Sequence, residues 1–137
     1  MAVSADRAVL QMERRILPCE PESTAIEEVR EILATLVRED ATFRASAKAM
    51  FSRPAYELPP DHELPRALAG ALSDVGGTSR IGGASFWTDA AVLGHAGIPS
   101  ILFGPGGAGL HSIKEYVNVA DVALCRDALV ELIRRFC

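Results

Sequence analysis

The chain has little of what marks several large classes of protein. Its three cysteines form no C-x-x-C pair, which argues against a zinc ribbon or a thioredoxin-like motif. Aromatic residues make up 6%, the net charge is −4, and no Lys/Arg cluster exceeds two residues, so nucleic acid is not an expected partner. No apolar run approaches the roughly 18 residues of a membrane span. The first residues show no signal-peptide pattern, and the widely spaced cysteines suit reduced thiols, so we expect a cytoplasmic protein.

Apolar residues are plentiful enough to build a core. The 137 residues are 49% hydrophobic and 23% charged, which excludes a chain that is disordered by composition. The first 56 residues predict a β-α-β unit, with alternating half-buried strands over 9–17 and 42–51. Between them, a capping-box signature at Thr24 and apolar residues at helical spacing predict an amphipathic helix over 23–39. Such a unit is too small to be stable by itself, so we expect it to pair with something else.

A proline-rich stretch over 54–60 indicates a boundary, and helical periodicity follows it. Further elements are predicted in this order: a helix over 61–75 ended by Gly76-Gly77, a short helix over 89–95 capped by Thr88 and stopped by Gly97, a buried strand over 98–103, and a last helix from about Asn118, with Cys125 in the core.

The strand over 98–103 leads into a glycine-rich loop, Gly104-Pro105-Gly106-Gly107-Ala108-Gly109-Leu110-His111. Loops at the ends of strands are where α/β proteins place ligands. Glycines let backbone amides approach a bound anion, and neutral imidazole is a common metal ligand. One histidine cannot make a metal site, however, so partners from elsewhere are required.

Several segments together resemble the zinc-dependent amidohydrolases and peptidases that include acetylornithine deacetylase, succinyl-diaminopimelate desuccinylase, aminoacylase and glutamate carboxypeptidase. The residues that carry the resemblance are Glu13-Arg14-Arg15-Ile16-Leu17-Pro18, Trp87-Thr88-Asp89-Ala90-Ala91, Gly97-Ile98-Pro99, Gly104-Pro105-Gly106-Gly107, and His111 with Glu115-Tyr116-Val117. Their order and spacing match the C-terminal part of that family across essentially the whole chain.

The resemblance implies a two-part enzyme of the α/β class. A catalytic α/β domain binds two metal ions, and a β-α-β-β-α-β lid inserted into it often mediates dimerisation. This chain would contain an α+β piece, the second half of the lid, over 1–56. An α/β piece, the C-terminal part of the catalytic domain, would follow over 57–137.

The resemblance also implies roles for two side chains, His111 and Arg15. His111 matches a histidine that ligates zinc, or cobalt, through its imidazole; the alternative is a loop histidine with a structural hydrogen bond. Arg15 matches a lid arginine that binds a substrate carboxylate, and it lies on the polar face of its predicted strand. Its alternative is a solvated side chain or an ion pair with Glu13. A family asparagine near the start of this strand would fall at Ala2.

Other residues would support the site. The three glycines of the loop would let backbone amides approach the substrate, or would simply permit a tight turn; these are Gly104, Gly106 and Gly107. Asp89 matches a Thr-Asp pair and would cap its helix and support the site. Glu115 would orient the histidine loop.

The family's other metal ligands and its water-activating glutamate have no counterpart here. The chain contains no H-x-D motif, and its Glu-Glu pair, Glu27-Glu28, lies inside the predicted lid helix. Metal-assisted hydrolysis needs a polarised water and a general base. We therefore expect the C-terminal part of an enzyme that cleaves the amide of a small N-acyl amino acid or peptide, inactive by itself and binding metal weakly or not at all.

Two alternatives to a simple fragment remain open. In the first, the chain would be a non-catalytic dimerisation or interaction module that forms a homodimer. In the second, it would be one half of an enzyme completed by a separate N-terminal half.

Overall fold

The computed structural model describes residues 6–136, so Ala2 and Cys137 lie outside the described residues. The chain divides into two compact units, Met1–Ala55 and Tyr56–Cys137. The elements are α1 (Thr24–Glu39), α2 (Glu63–Asp74), α3 (Asp89–His95), β1 (Gly107–Ala108), β2 (Tyr116–Val117) and α4 (Val119–Phe136). Helices with a small sheet are compatible with an α+β architecture. In the described part of the chain, no helix is both long and apolar enough to cross a membrane.

The first unit is built on α1, which confirms the predicted helix to within one residue. The capping prediction is wrong, because Ser23 rather than Thr24 is the N-cap and no side chain caps the helix. Instead, the carbonyl of Ser23 accepts hydrogen bonds from the amides of Ile26 and Glu27 at 3.1 and 3.0 Å. Backbone carbonyls therefore accept from the first amides of the helix, where the sequence predicted a side-chain acceptor.

The two strands predicted in the first unit do not form. Residues 9–17 and 42–51 are described without strand pairing, and most of their apolar side chains are exposed, as at Leu10 (79%) and Phe51 (73%). A strand is stabilised by hydrogen bonds to a neighbouring strand. Neither segment has such a neighbour among the described residues, so the alternating pattern has no sheet to join.

The guanidinium of Arg14 connects the first of these segments to α1. It donates two hydrogen bonds to the carboxylate of Glu20, at 2.9 and 2.6 Å, and also contacts Glu28 on the helix at 2.8 Å. The amide of Leu17 donates to the same Glu20 carboxylate at 2.9 Å. These donors hold the pKa of Glu20 at about 2, with Arg14 the larger cause.

The second unit has its core where α2 packs against α4. Ala71 and Ala128 are fully buried at this contact, and their small side chains let the two helices approach closely. An ion pair between Asp74 and Arg135 joins the ends of the same helices. Cys125 on α4 is half-buried, and burial raises the pKa of its thiol.

Two helices of this unit end as the glycines predict. Gly76 and Gly97 both have φ +83°, in the left-handed region that favours glycine. Each lies in a Schellman motif, in which Gly77 donates to Leu72 at 2.8 Å and Ile98 donates to Leu93 at 2.9 Å. The hydrogen bonds that end these helices come from within their own segments, whereas a strand needs hydrogen bonds from another segment.

The strand predicted over 98–103 is also wrong as stated. The structure describes this segment without strand pairing. Its Ser100 amide donates to the hydroxyl of Tyr56 at 3.1 Å instead of to a neighbouring strand. The ring of Tyr56 occupies the space that a side chain at Gly94 would take, and it meets the His95 ring edge-on at 6.0 Å.

Candidate functional site

A small hairpin carries the glycine loop and His111. Gly107 in β1 pairs with Val117 in β2, and Ala108 pairs with Tyr116 in antiparallel register. A Cβ atom at Gly107 would overlap the carbonyl oxygen of Tyr116. Glycine is therefore required at this position by the close approach of the two backbones. This short pairing was not predicted, since two-residue strands leave almost no periodicity to detect.

The turn between the strands places His111 in a left-handed conformation with φ 62°. The His111 amide donates to the Glu115 carboxylate at 3.2 Å, and the Ser112 amide donates to the Gly109 carbonyl at 2.7 Å. Glu115 thus contacts the backbone of the histidine rather than its imidazole. No hydrogen bond to the exposed imidazole comes from the residues that the structure describes.

The glycine loop is also attached to the start of α4, through residues that the sequence analysis missed. The Asn118 amide donates to the Gly106 carbonyl at 2.8 Å, and the Asn118 side chain donates to Asp121 at 3.0 Å. A Cβ at Gly106 would lie 2.7 Å from the Asp121 carboxylate. An Asn-x-x-Asp sequence at a helix start is the signal that points to this contact.

The other predicted site residues lie elsewhere. Arg15 belongs to the first unit, where it forms a largely exposed ion pair with Glu13 at 2.8 Å, one of the alternatives left open above. Asp89 is the first residue of α3, where its charge suits the positive end of the helix dipole. Thr88, expected to cap that helix, is its N-cap residue but makes no side-chain cap bond. Within the second unit, the hairpin brings together His111, Glu115 and Gly107, and no hydrogen bond or ion pair among the described residues joins Asp89 to them.

The described residues do not supply a complete metal centre. No group of three or more histidine, cysteine or acidic side chains is placed to hold an ion in this part of the chain. His111 provides one imidazole, a ligand type that zinc prefers. One carboxylate oxygen of Glu115 already accepts a hydrogen bond from a backbone amide. No hydrolytic step through a metal can be derived from these residues.

Comparison with known proteins gives a consistent picture. Residues 7–135 match the profile described as peptidase family M20/M25/M40. An acetylornithine deacetylase from Myxococcus xanthus is 28% identical over 127 residues, which cover 92% of this chain and 32% of that enzyme. The chain therefore spans about a third of the length of this relative. No solved structure gives a significant match.

Proposed function

Because the chain belongs to peptidase family M20/M25/M40, we propose that it is the C-terminal part of a metal-dependent amidohydrolase. The complete enzyme would cleave the amide of an N-acyl amino acid or a small peptide. The match to an acetylornithine deacetylase supports the deacylase class of reaction. The observation that carries the proposal is the hairpin, which holds the family's histidine motif in a defined conformation.

His111 is the residue of this chain that would ligate the metal, zinc or cobalt. Its amide donates to the Glu115 carboxylate, so this bond shapes the backbone of the turn from which the imidazole extends. Bound metal would supply a polarised water, as in other metallohydrolases. The remaining ligands and the general base would come from the part of the enzyme that this chain does not span.

Arg15 would bind the carboxylate of the substrate. Its present partner, Glu13, is itself well exposed, and exposed ion pairs contribute only about 0–1 kcal/mol. A substrate carboxylate in the planar, two-pronged geometry that guanidinium favours can therefore displace Glu13 at little cost. Gly104, Gly106 and Gly107, in the second unit, would let backbone amides approach a substrate.

A chimaera tests this function directly. We would replace the matched 127 residues of the Myxococcus xanthus enzyme with this chain and measure Zn²⁺-dependent hydrolysis of N-acetylornithine. We expect activity in the chimaera and none in the isolated chain. His111→Ala should lower kcat/KM by about 100-fold or more, because a metal ligand is lost.

His95→Gln is the matched control, since this histidine contacts Tyr56 and not the hairpin. Equal losses in the two variants would contradict the ligand role of His111. Hydrolysis by the isolated 137-residue chain would contradict the prediction that the rest of the enzyme is needed. A stable, metal-free homodimer would favour the interaction-module alternative instead.

A further inference from the structure

A contact at the start of α4 fixes the direction of one amide in the glycine loop. The carbonyl of Gly106 accepts a hydrogen bond from the Asn118 amide at 2.8 Å. The same peptide group carries that carbonyl and the amide of Gly107, and a planar trans peptide directs its C=O and N–H groups to opposite sides. The Gly107 amide therefore points away from Asn118. Gly107 is exposed and has no side chain, so a ligand can approach this amide closely.

This feature separates Gly107 from the other two glycines of the loop. A Cβ at Gly104 would meet nothing within 4 Å, so no neighbouring group limits that position. A Cβ at Gly106 would lie 2.7 Å from Asp121 Oδ2 and 3.4 Å from Asn118 Nδ2. Glycine at position 106 thus lets these two side chains lie directly against the loop backbone, beside the peptide group that orients the Gly107 amide.

Asn118 is in turn held by the first turn of α4. Its side-chain amide donates to Asp121 Oδ2 at 3.0 Å, and its carbonyl accepts from the amides of Asp121 and Val122 at 3.1 and 3.2 Å. The carboxylate of Asp121 also lies at the positive end of the helix dipole, which stabilises its charge there. Asn118 is therefore fixed through both its side chain and its backbone.

The helix that provides these contacts belongs to the core of the second unit. Helix α4 packs against α2, where Ala71 and Ala128 are fully buried. A continuous series of contacts thus leads from this core, through Asp121 and Asn118, to the Gly106 carbonyl and the adjoining Gly107 amide.

We propose that Asp121 is a positioning residue for substrate binding. Through Asn118 and the Gly106 carbonyl, it holds the Gly107 amide in the direction from which that amide donates a hydrogen bond to an oxygen atom of the N-acyl amino acid. This inference rests on the proposed function, since it takes the substrate from there. It assigns a role to a residue outside the glycine and histidine motifs, and it singles out Gly107 among the three loop glycines.

The first experiment follows binding rather than turnover. The chimaera described above is prepared with isotope-labelled glycine and titrated with N-acetylornithine, while NMR monitors the Gly107 amide signal. We expect this signal to shift. Asp121→Ala should raise the Kd about fivefold, which is the loss expected for one neutral hydrogen bond. Asp121→Asn should restore the original Kd, because its side-chain oxygen can still accept from Asn118 Nδ2.

Asp127→Ala is the matched control. It removes the same charge from the same helix, but Asp127 accepts from the neighbouring Arg126 at 2.7 Å and makes no contact with the glycine loop among the described residues. It should leave the Kd unchanged. Equal increases for Asp121→Ala and Asp127→Ala would overturn the inference, because the charge of α4 would then explain the effect.

Steady-state kinetics distinguish positioning from a general loss of structure. Asp121→Ala should raise KM about fivefold and leave kcat unchanged, whereas partial unfolding would remove active enzyme and lower kcat at constant KM. Amide exchange in the isolated full chain gives a measurement that does not need the chimaera to fold. Exchange at Asn118 should be about fivefold faster in Asp121→Ala and unchanged in Asp121→Asn. Unchanged exchange in both variants would overturn the inference.

The outcomes also separate this inference from the proposed function. A Gly107 signal that shifts with N-acetylornithine and depends on Asp121, without any hydrolysis, supports the positioning role and removes the enzymatic proposal. Hydrolysis by a chimaera whose Gly107 signal does not respond to the substrate does the reverse.

Discussion

Two adjacent arginines show how far single residues depend on their neighbours. Arg14 makes paired hydrogen bonds to Glu20 and also contacts Glu28, whereas the guanidinium of Arg15 forms an ion pair with the exposed Glu13. The side chain of Arg14 is thus engaged within the first unit, which is consistent with our proposal that Arg15 rather than Arg14 binds the substrate carboxylate. The resemblance already assigns the substrate carboxylate to Arg15 and not to Arg14, but the contacts of Arg14 with Glu20 and Glu28 depend on how the chain folds back and could not be predicted from the sequence.

The pKa of the Glu20 carboxylate reports directly on its contact with Arg14. Arg14 and the Leu17 amide lower its pKa to about 2 from an ordinary 4.5. Because the folded-state pKa lies below the unfolded one, the contact stabilises the fold above about pH 4.5 and is lost as pH falls toward 2. An NMR titration of the side-chain carboxyl should show the low midpoint. Arg14→Gln should raise it toward 4.5, whereas Arg30→Gln, which removes a charge that does not contact Glu20, should leave it low.

At the scale of elements, the hairpin β1–β2 depends on one backbone approach. Gly107→Ala should separate β1 from β2, because the added Cβ would overlap the Tyr116 carbonyl. Gly104→Ala is the control, since a Cβ there meets nothing within 4 Å. Amide exchange at Asn118, whose amide donates to the Gly106 carbonyl at 2.8 Å, measures the difference, and we expect about fivefold faster exchange in the first variant, in keeping with a loss of about 1 kcal/mol per backbone hydrogen bond. Unchanged exchange in Gly107→Ala would show that the pairing does not need glycine.

The elements also show what the sequence could predict and what it could not. The helices over 24–39 and 89–95 were predicted almost to the residue, because a helix makes its hydrogen bonds within its own segment. The strands predicted over 9–17, 42–51 and 98–103 failed, because their hydrogen bonds would come from other segments. The same distinction holds at the candidate site. The glycine loop and His111 were visible as a motif, but the contacts from Asn118 and Asp121 depend on how the chain folds back.

At the scale of the whole molecule, the amphipathic helices bury little of their apolar surface. The described hydrophobic core consists of Leu68, Ala71, Leu72, Ala91 and Ala128, and no large side chain among the described residues is fully buried. Burying a Leu, Ile or Phe side chain contributes about 1.5–3 kcal/mol, so this core is small for a chain of 137 residues. The apolar pattern of the sequence therefore predicts more packing partners than the described part of the chain supplies.

Calorimetry of the isolated chain tests this deficit of burial. Compact proteins unfold with about 0.7 kcal/mol of enthalpy per residue, which would give about 95 kcal/mol for a chain of this length. We expect less than about half of that, in a broad transition, because so few side chains leave a packed environment on unfolding. The chimaera with the Myxococcus xanthus enzyme is the comparison, and its enthalpy per residue should approach the ordinary value once the exposed apolar side chains are covered. A sharp transition with full enthalpy in the isolated chain would mean that it packs its apolar surface without any partner, and the expected deficit of burial would be refuted.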